Sequence, residues 1–110
     1  MPGEPSHFEI GVSDARRAKA FYGELLGWSF TSTHDENAWI ETEGVRGGLH
    51  DGDDANIVLY FRVPDIEAAV RRVRELGGEA EDPSPQTVGG RFVTCRDDQG
   101  LAFGLHEPDA

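Results

Sequence analysis

The sequence predicts an α+β fold made of two βαβββ modules in one domain spanning residues 1–110. Three observations predict it. Two amphipathic helical stretches each carry a capping residue at the start and glycine at the end. Each helix follows one strand-like run and precedes three more. Short identities recur at matching places: Val12-Ser13-Asp14 with Val63-Pro64-Asp65, and Gly48-Leu49-His50 with Gly104-Leu105-His106. The modules are expected at about residues 6–50 and 56–107.

The elements follow in chain order. His7 to Val12 alternates loosely and reads as a strand. Asp14 can cap a helix in which Ala18, Phe21, Tyr22 and Leu25 share a face, and Gly27 is placed to end it. Three strands are then expected at Trp28–Ser32, Ala38–Thr42 and Val45–His50. The acidic stretch Asp51-Gly52-Asp53-Asp54 joins the halves. Ile57 to Val63 is the next strand. Pro64 and the capping Asp65 open the second helix, Glu67 suits its positive end, and Ile66, Ala69, Val70, Val73 and Leu76 form its stripe. Gly77-Gly78 stops it. A weak strand at Glu79–Glu81 and stronger ones at Arg91–Cys95 and Leu101–His106 complete the set. The loop from Asp82 to Gly90, with Pro83, Pro85 and a glycine pair, reads as a flap over a site.

Composition excludes several classes. Apolar residues make up 37% of the 110, with 14 glycines besides, which is ordinary for a globular domain. No run approaches the roughly 18 apolar residues of a membrane span, so no membrane partner is expected. Residues 1–6 lack the basic and apolar regions of a signal peptide, and the single cysteine, Cys95, excludes an internal disulfide framework. A cytoplasmic protein is expected. The net charge of −11 makes nucleic acid a poor partner. The two helices and their caps hold six basic and five acidic residues; strands and loops hold four basic against sixteen acidic. A cavity built from strands and loops would therefore attract cations.

His7-Phe8-Glu9-Ile10, Asp14, Arg17-Ala18, Phe21-Tyr22-Gly23 and Leu26-Gly27-Trp28 resemble the glyoxalase/bleomycin resistance protein family, the vicinal oxygen chelate superfamily. Val63-Pro64-Asp65, Gly77-Gly78 and the turn Asp97-Asp98-Gln99-Gly100 extend the resemblance over nearly the whole chain. Asp98 departs from the proline usual there. The resemblance implies that the paired modules form a curved mixed sheet around a cavity. It also implies homodimers, and in many relatives a divalent metal. Carried onto this chain, the family's metal positions fall at His7, Gly48, Val58 and Gly104, of which only His7 can coordinate. No cofactor is expected. A divalent metal would require a displaced set of His7, His50 and His106, since His50 and His106 lie two residues beyond the glycines on the same strand faces.

Alternation sorts the remaining side chains. If His7 faces the cavity, so do Glu9, Tyr60, Arg62, Arg46, His50 and His106, while Phe8, Ile10, Val12, Leu59, Phe61 and Val63 enter the core. Gly48 and Gly104 would leave room for a ligand. Trp28, Phe30 and Trp39 are candidates for an aromatic wall. Glu9 and Arg62 can neutralise each other on paired strands, or Glu9 can act as a base or hold a cation. Cys95 reads as a buried small hydrophobe, and no Ser-His-Asp order, phosphate loop or dinucleotide fingerprint is present. The ligand-binding candidates are His7, Glu9, Trp39, Arg46, His50, Tyr60, Arg62 and His106. The expected function is metal-free binding of a cationic or aromatic small molecule such as an antibiotic. One alternative is a lyase, isomerase or dioxygenase working through the histidines or through Glu9. The other is a regulatory module with a vestigial cavity.

Overall fold

The computed structural model describes residues 3–52, 55–87 and 89–109; Asp53 and Asp54 of the acidic connector lie outside the described residues. The elements run β1 (Pro5–Val12), α1 (Ala15–Leu26), β2 (Ser29–Ser32), β3 (Ala38–Glu41), β4 (Gly47–Asp51), β5 (Asn56–Arg62), α2 (Ile66–Glu75), β6 (Glu79–Ala80), β7 (Arg91–Arg96) and β8 (Ala102–Glu107). The order is β-α-β-β-β, twice, as the repeat implied. The chain forms two compact units: His7–Val58 is one, and the chain from Leu59 onward, with the residues before His7, is the other.

In the first unit the strand order is β2-β3-β4-β1. β1 and β4 are parallel, with Glu9 opposite Gly48 and Gly11 opposite His50. β3 and β4 are antiparallel, with Trp39 opposite Gly48. Asp14 caps α1 by accepting from the Arg17 N–H at 3.1 Å, and Gly27 closes it at φ 73°. Ile10, Ala15, Ala18, Ile40 and Leu49 form the core, with Phe8, Tyr22, Trp28 and Phe30 packed against it. Phe21 and Leu25 depart from the expected stripe and are exposed by 61% and 64%. The buried face is the Ala15–Ala18–Tyr22 line; Phe21 lies about 60° round from Ala18, and Leu25 sits in the last turn.

The second unit repeats the plan with order β5-β8-β7-β6. Tyr60 pairs with Gly104 on parallel strands, and Phe92 and Thr94 on β7 face His106 and Gly104 on β8. Asp65 caps α2 through the Ala68 N–H at 3.1 Å. Ile66, Val70, Val93, Cys95 and Leu105 form this core. Leu59, expected inside, is 48% exposed, and Leu76 of the α2 stripe is 61% exposed at the helix C-cap.

Each unit ties the helix N-terminus to the end of its last strand. The Ala15 N–H donates to Asp51 Oδ1 at 2.6 Å, and the Ile66 N–H donates to Glu107 Oε1 at 2.9 Å. A carboxylate there satisfies an orphan donor and complements the helix dipole. The loop expected as a flap is instead pinned. Ser84 N–H donates to Phe92 O, Phe92 N–H to Ser84 Oγ, Arg91 Nε to Ser84 O, and Gly89 N–H to Asp109 Oδ2.

Candidate functional site

The first unit gathers five of the eight predicted site residues on one face. His7 and Glu9 rise from β1, His50 from β4 and Trp39 from β3; Arg46 immediately precedes β4. His7 is buried at 3% exposure, and its Nε2 hydrogen-bonds Glu9 Oε2. His50 Nδ1 lies 3.4 Å from the other carboxylate oxygen, with the His50 side chain 45% exposed. Glu9 thus sits between two imidazoles and stays 27% exposed itself. A hydrogen bond to a carboxylate is worth about 1.5–3 kcal/mol, so the buried His7 contact orients the group.

Trp39 sets its ring edge-on to His7, with centroids 6.0 Å apart. The Arg46 guanidinium lies over the indole at 4.3 Å from its centroid. Glu41 holds it there, accepting from Arg46 Nη2 at 3.0 Å and from Thr31 Oγ1 at 2.9 Å. Arg46 Nε is shielded from solvent and has no hydrogen-bond partner among the described residues. Sequence reasoning missed Glu41 and Thr31. Alternation could have found Glu41, two residues from Trp39 on the same strand face.

The glycine at 48 does not leave space for a ligand as expected. A Cβ there would stand 2.6 Å from Glu9 Oε1 and 2.8 Å from Glu9 Cδ. The missing side chain is what lets the Glu9 carboxylate lie across β4. The second unit does the same with different chemistry: at Gly104 a Cβ would meet the Tyr60 ring, 2.5 Å from its Cγ.

The other three candidates belong to the second unit. Tyr60 is 8% exposed; its hydroxyl lies 3.3 Å from Thr94 Oγ1, and its ring is edge-on to Phe92 at 5.7 Å. His106 is 7% exposed and stacks on Phe92 at 4.5 Å with an interplanar angle of 3°. Its Nε2 donates to Gly89 O at 2.7 Å, and its Nδ1 meets Ser6 Oγ at 2.8 Å. Arg62 is exposed at the end of β5, its backbone N–H donating to Glu4 O at 2.8 Å. A hollow of about 190 Å³ lies beside Tyr60, Phe92, Thr94 and Ser84, with exposed Glu81 and Asp82. Trp28 and Phe30 form no wall: Trp28 stacks on Tyr22 at 5.4 Å, and both pack on the core.

Among the described residues no three His, Cys, Asp or Glu side chains form a group that could hold a metal ion. The positions that the family resemblance assigns to a metal hold His7, Gly48, Val58 and Gly104, and the Glu9 carboxylate over Gly48 is hydrogen-bonded to His7. These residues do not fit a divalent metal. No helix of the described residues is long and apolar enough to cross a membrane.

The repeated βαβββ units and their sheet order define a class, and comparison with known proteins names it. Residues 5–105 match the Glyoxalase/Bleomycin resistance protein/Dioxygenase superfamily, and the chain belongs to that superfamily. A curated relative, the anthracycline biosynthesis protein DauV of Streptomyces sp. (strain C5), is 29% identical over 116 positions. The match takes in 97% of this chain but 42% of the relative, so the chain spans less than half of DauV. Among solved structures, methylmalonyl-CoA epimerase from Mycobacterium tuberculosis superposes with a TM-score of 0.75 at 22% identity, covering 97% of this chain and 89% of the epimerase. Homoprotocatechuate 2,3-dioxygenase from B. fuscum, as its H200Q variant, gives 0.74 at 18% identity, covering 99% of this chain and 34% of the dioxygenase. At these identities the structural likenesses carry the fold alone.

Proposed function

We propose that this chain binds a flat, cationic small molecule on the face carrying His7, Glu9, Trp39, Arg46 and His50, without a metal. The observation that carries the reading is the partly exposed Glu9 carboxylate beside the Trp39–Arg46 stack. A ligand cation about 4 Å from one carboxylate gains ~1–4 kcal/mol at effective dielectrics of 80 to 20. The acidic strands and loops steer such a ligand, and the outer face of the guanidinium offers a planar group a stacking partner. The name of the relative DauV, an anthracycline biosynthesis protein, supports a polycyclic aromatic ligand, and sequestration of such a compound is the role proposed for the binding. Tyr60, Arg62 and His106 of the second unit are proposed as further ligand-binding residues. We further propose a homodimer, supported by the exposed Phe21, Leu25 and Leu26 on α1; light scattering at micromolar concentration should report twice the 12.0 kDa chain mass.

Isothermal titration against polycyclic aromatic amines, anthracyclines included, tests the binding. Saturable heats are expected, with affinity lowered about tenfold in Glu9→Gln, equivalent to ~1.4 kcal/mol. Flat heats across the panel would sink the reading.

A second reading is proton transfer by Glu9 on an activated carbon acid. It is favoured by His50, which touches the carboxylate and is 45% exposed, and so links it to solvent. Deuterium wash-in from heavy water into 1,3-dicarbonyl compounds, lost in Glu9→Gln, would support it over simple binding.

A further inference from the structure

The contact between Ser6 and His106 has a chemistry of its own. Both residues belong to the second unit. The Gly89 carbonyl can only accept, so His106 carries a hydrogen on Nε2 and donates it there at 2.7 Å. In the neutral ring Nδ1 is then a lone pair, 2.8 Å from Ser6 Oγ, and the Ser6 hydroxyl donates to it. Phe92, stacked nearly parallel on the imidazole at 4.5 Å, fixes the ring plane. His106 is 7% exposed, whereas Ser6 is only half-buried. A hydroxyl, a base within hydrogen-bond reach and a third group orienting the base constitute an activated nucleophile.

We propose that Ser6 is a base-activated nucleophile, with His106 as its base and the Gly89 carbonyl as the orienting group, and that it reacts with activated acyl and phosphoryl esters. In the step, Ser6 Oγ bonds to the electrophilic carbon or phosphorus and its proton passes to His106 Nδ1. The bond to the leaving group breaks, and that group departs with the electron pair. The hydrogen on Nε2 stays directed at the Gly89 oxygen, whose negative end favours the positive charge developing on the ring. The product is an ester of Ser6.

The full-length chain incubated with a small alkyl fluorophosphonate, followed by intact-mass measurement and peptide mapping, tests this. Phosphonylation expels fluoride, so one adduct of the probe mass less HF is expected on Ser6. It should be absent in Ser6→Ala and form about 100-fold more slowly in His106→Asn, the lower end of what a positioned base supplies. Because His106→Asn removes a buried ring, Ser6→Cys gives an independent readout. There the imidazole takes the thiol proton, and alkylation by iodoacetamide at neutral pH should run about tenfold faster than for free cysteine, while buried Cys95 stays silent. No adduct under conditions that label a serine hydrolase, or an adduct that survives Ser6→Ala, overturns the proposal. So does a thiol in Ser6→Cys that reacts no faster than free cysteine.

Discussion

Gly48→Ala isolates the contact on which the first unit's polar face depends. The added Cβ would stand 2.6 Å from Glu9 Oε1 and 2.8 Å from Cδ, closer than non-bonded atoms tolerate. The carboxylate ends a flexible side chain, so it moves aside at little steric cost. The expense lies in what it leaves behind. His7, 3% exposed, loses the acceptor of its Nε2, a charge-assisted bond worth about 1.5–3 kcal/mol. The contact with half-exposed His50 adds at most ~1 kcal/mol and is set aside. Replacing glycine in a strand returns about 0.5–1 kcal/mol of chain entropy. The balance is a destabilisation of about 0.5–2.5 kcal/mol, read as a lower guanidinium midpoint at unchanged slope. Glu9→Ala made alone and in the Gly48→Ala background closes a double-mutant cycle. Both changes remove the same bond, so a coupling of about 1.5–3 kcal/mol is expected. Stability equal to the parent, or additivity within about 0.5 kcal/mol, would refute the claim that Gly48 exists to seat this carboxylate. Gly104→Ala should cost more than Gly48→Ala, because the Tyr60 ring, 8% exposed, cannot swing aside as a carboxylate can.

The strand-to-helix ties give a matched pair: Asp51→Ala and Glu107→Ala should each lose about 1–2 kcal/mol by thermal or chemical denaturation, while Asp51→Asn, which keeps an acceptor, loses less. The Leu101, Gln99 and Gly100 N–H groups hold the Asp97 carboxyl below the usual 3.8. The turn's stability is therefore present above the ordinary value and lost as pH falls through the lower, folded one; an NMR titration should place the Asp97 midpoint below 3.8, and Asp97→Asn should abolish the dependence. Burial pushes the Cys95 thiol from 9.0 up to about 11, so it should resist Ellman's reagent at pH ~8 until the chain unfolds. The same shift makes folding less favourable as pH rises between 9.0 and 11, where only the unfolded thiol ionises.

Much of this fold can be read from local signals, because those signals act locally. Asp14 and Asp65 cap the helices the sequence assigns them, and Gly27 takes the left-handed conformation its position requires. Both are satisfied within a few residues of chain. Alternation likewise places His7 and Glu9 on one side of β1, and Ile10 in the core. What resisted reading depends on partners distant in sequence. Nothing local shows that Leu59 would remain half exposed, because that depends on what covers β5. The His106 partnership spans 100 positions to Ser6 and 17 to Gly89, so no spacing motif announces it. The expectation of room above Gly48 and Gly104 failed for a related reason. Alternation says which face a side chain takes, not how far it leans over the next strand.

That lean shows how one duplicated frame carries two chemistries. Glu9, Gly48 and Trp39 share a rung in the first unit, and Tyr60, Gly104 and Thr94 share the equivalent rung in the second. In both, the central glycine gives up its side chain so that its neighbour on the parallel strand can cover it. One copy covers it with a charge bracketed by imidazoles, the other with a buried aromatic ring whose hydroxyl meets Thr94. The backbone requirement is identical, so the difference lies in the covering residue alone. On the proposed function, discrimination between a cationic and a neutral ligand would reside in the first unit, where the carboxylate keeps part of its surface in water. Glu9→Gln, which preserves shape and removes charge, should weaken binding of a cationic polycycle while leaving a neutral analogue within about twofold, equivalent to ~0.4 kcal/mol. Equal losses for both ligands, measured by titration calorimetry, would mean that Glu9 serves the shape of the site and not its charge.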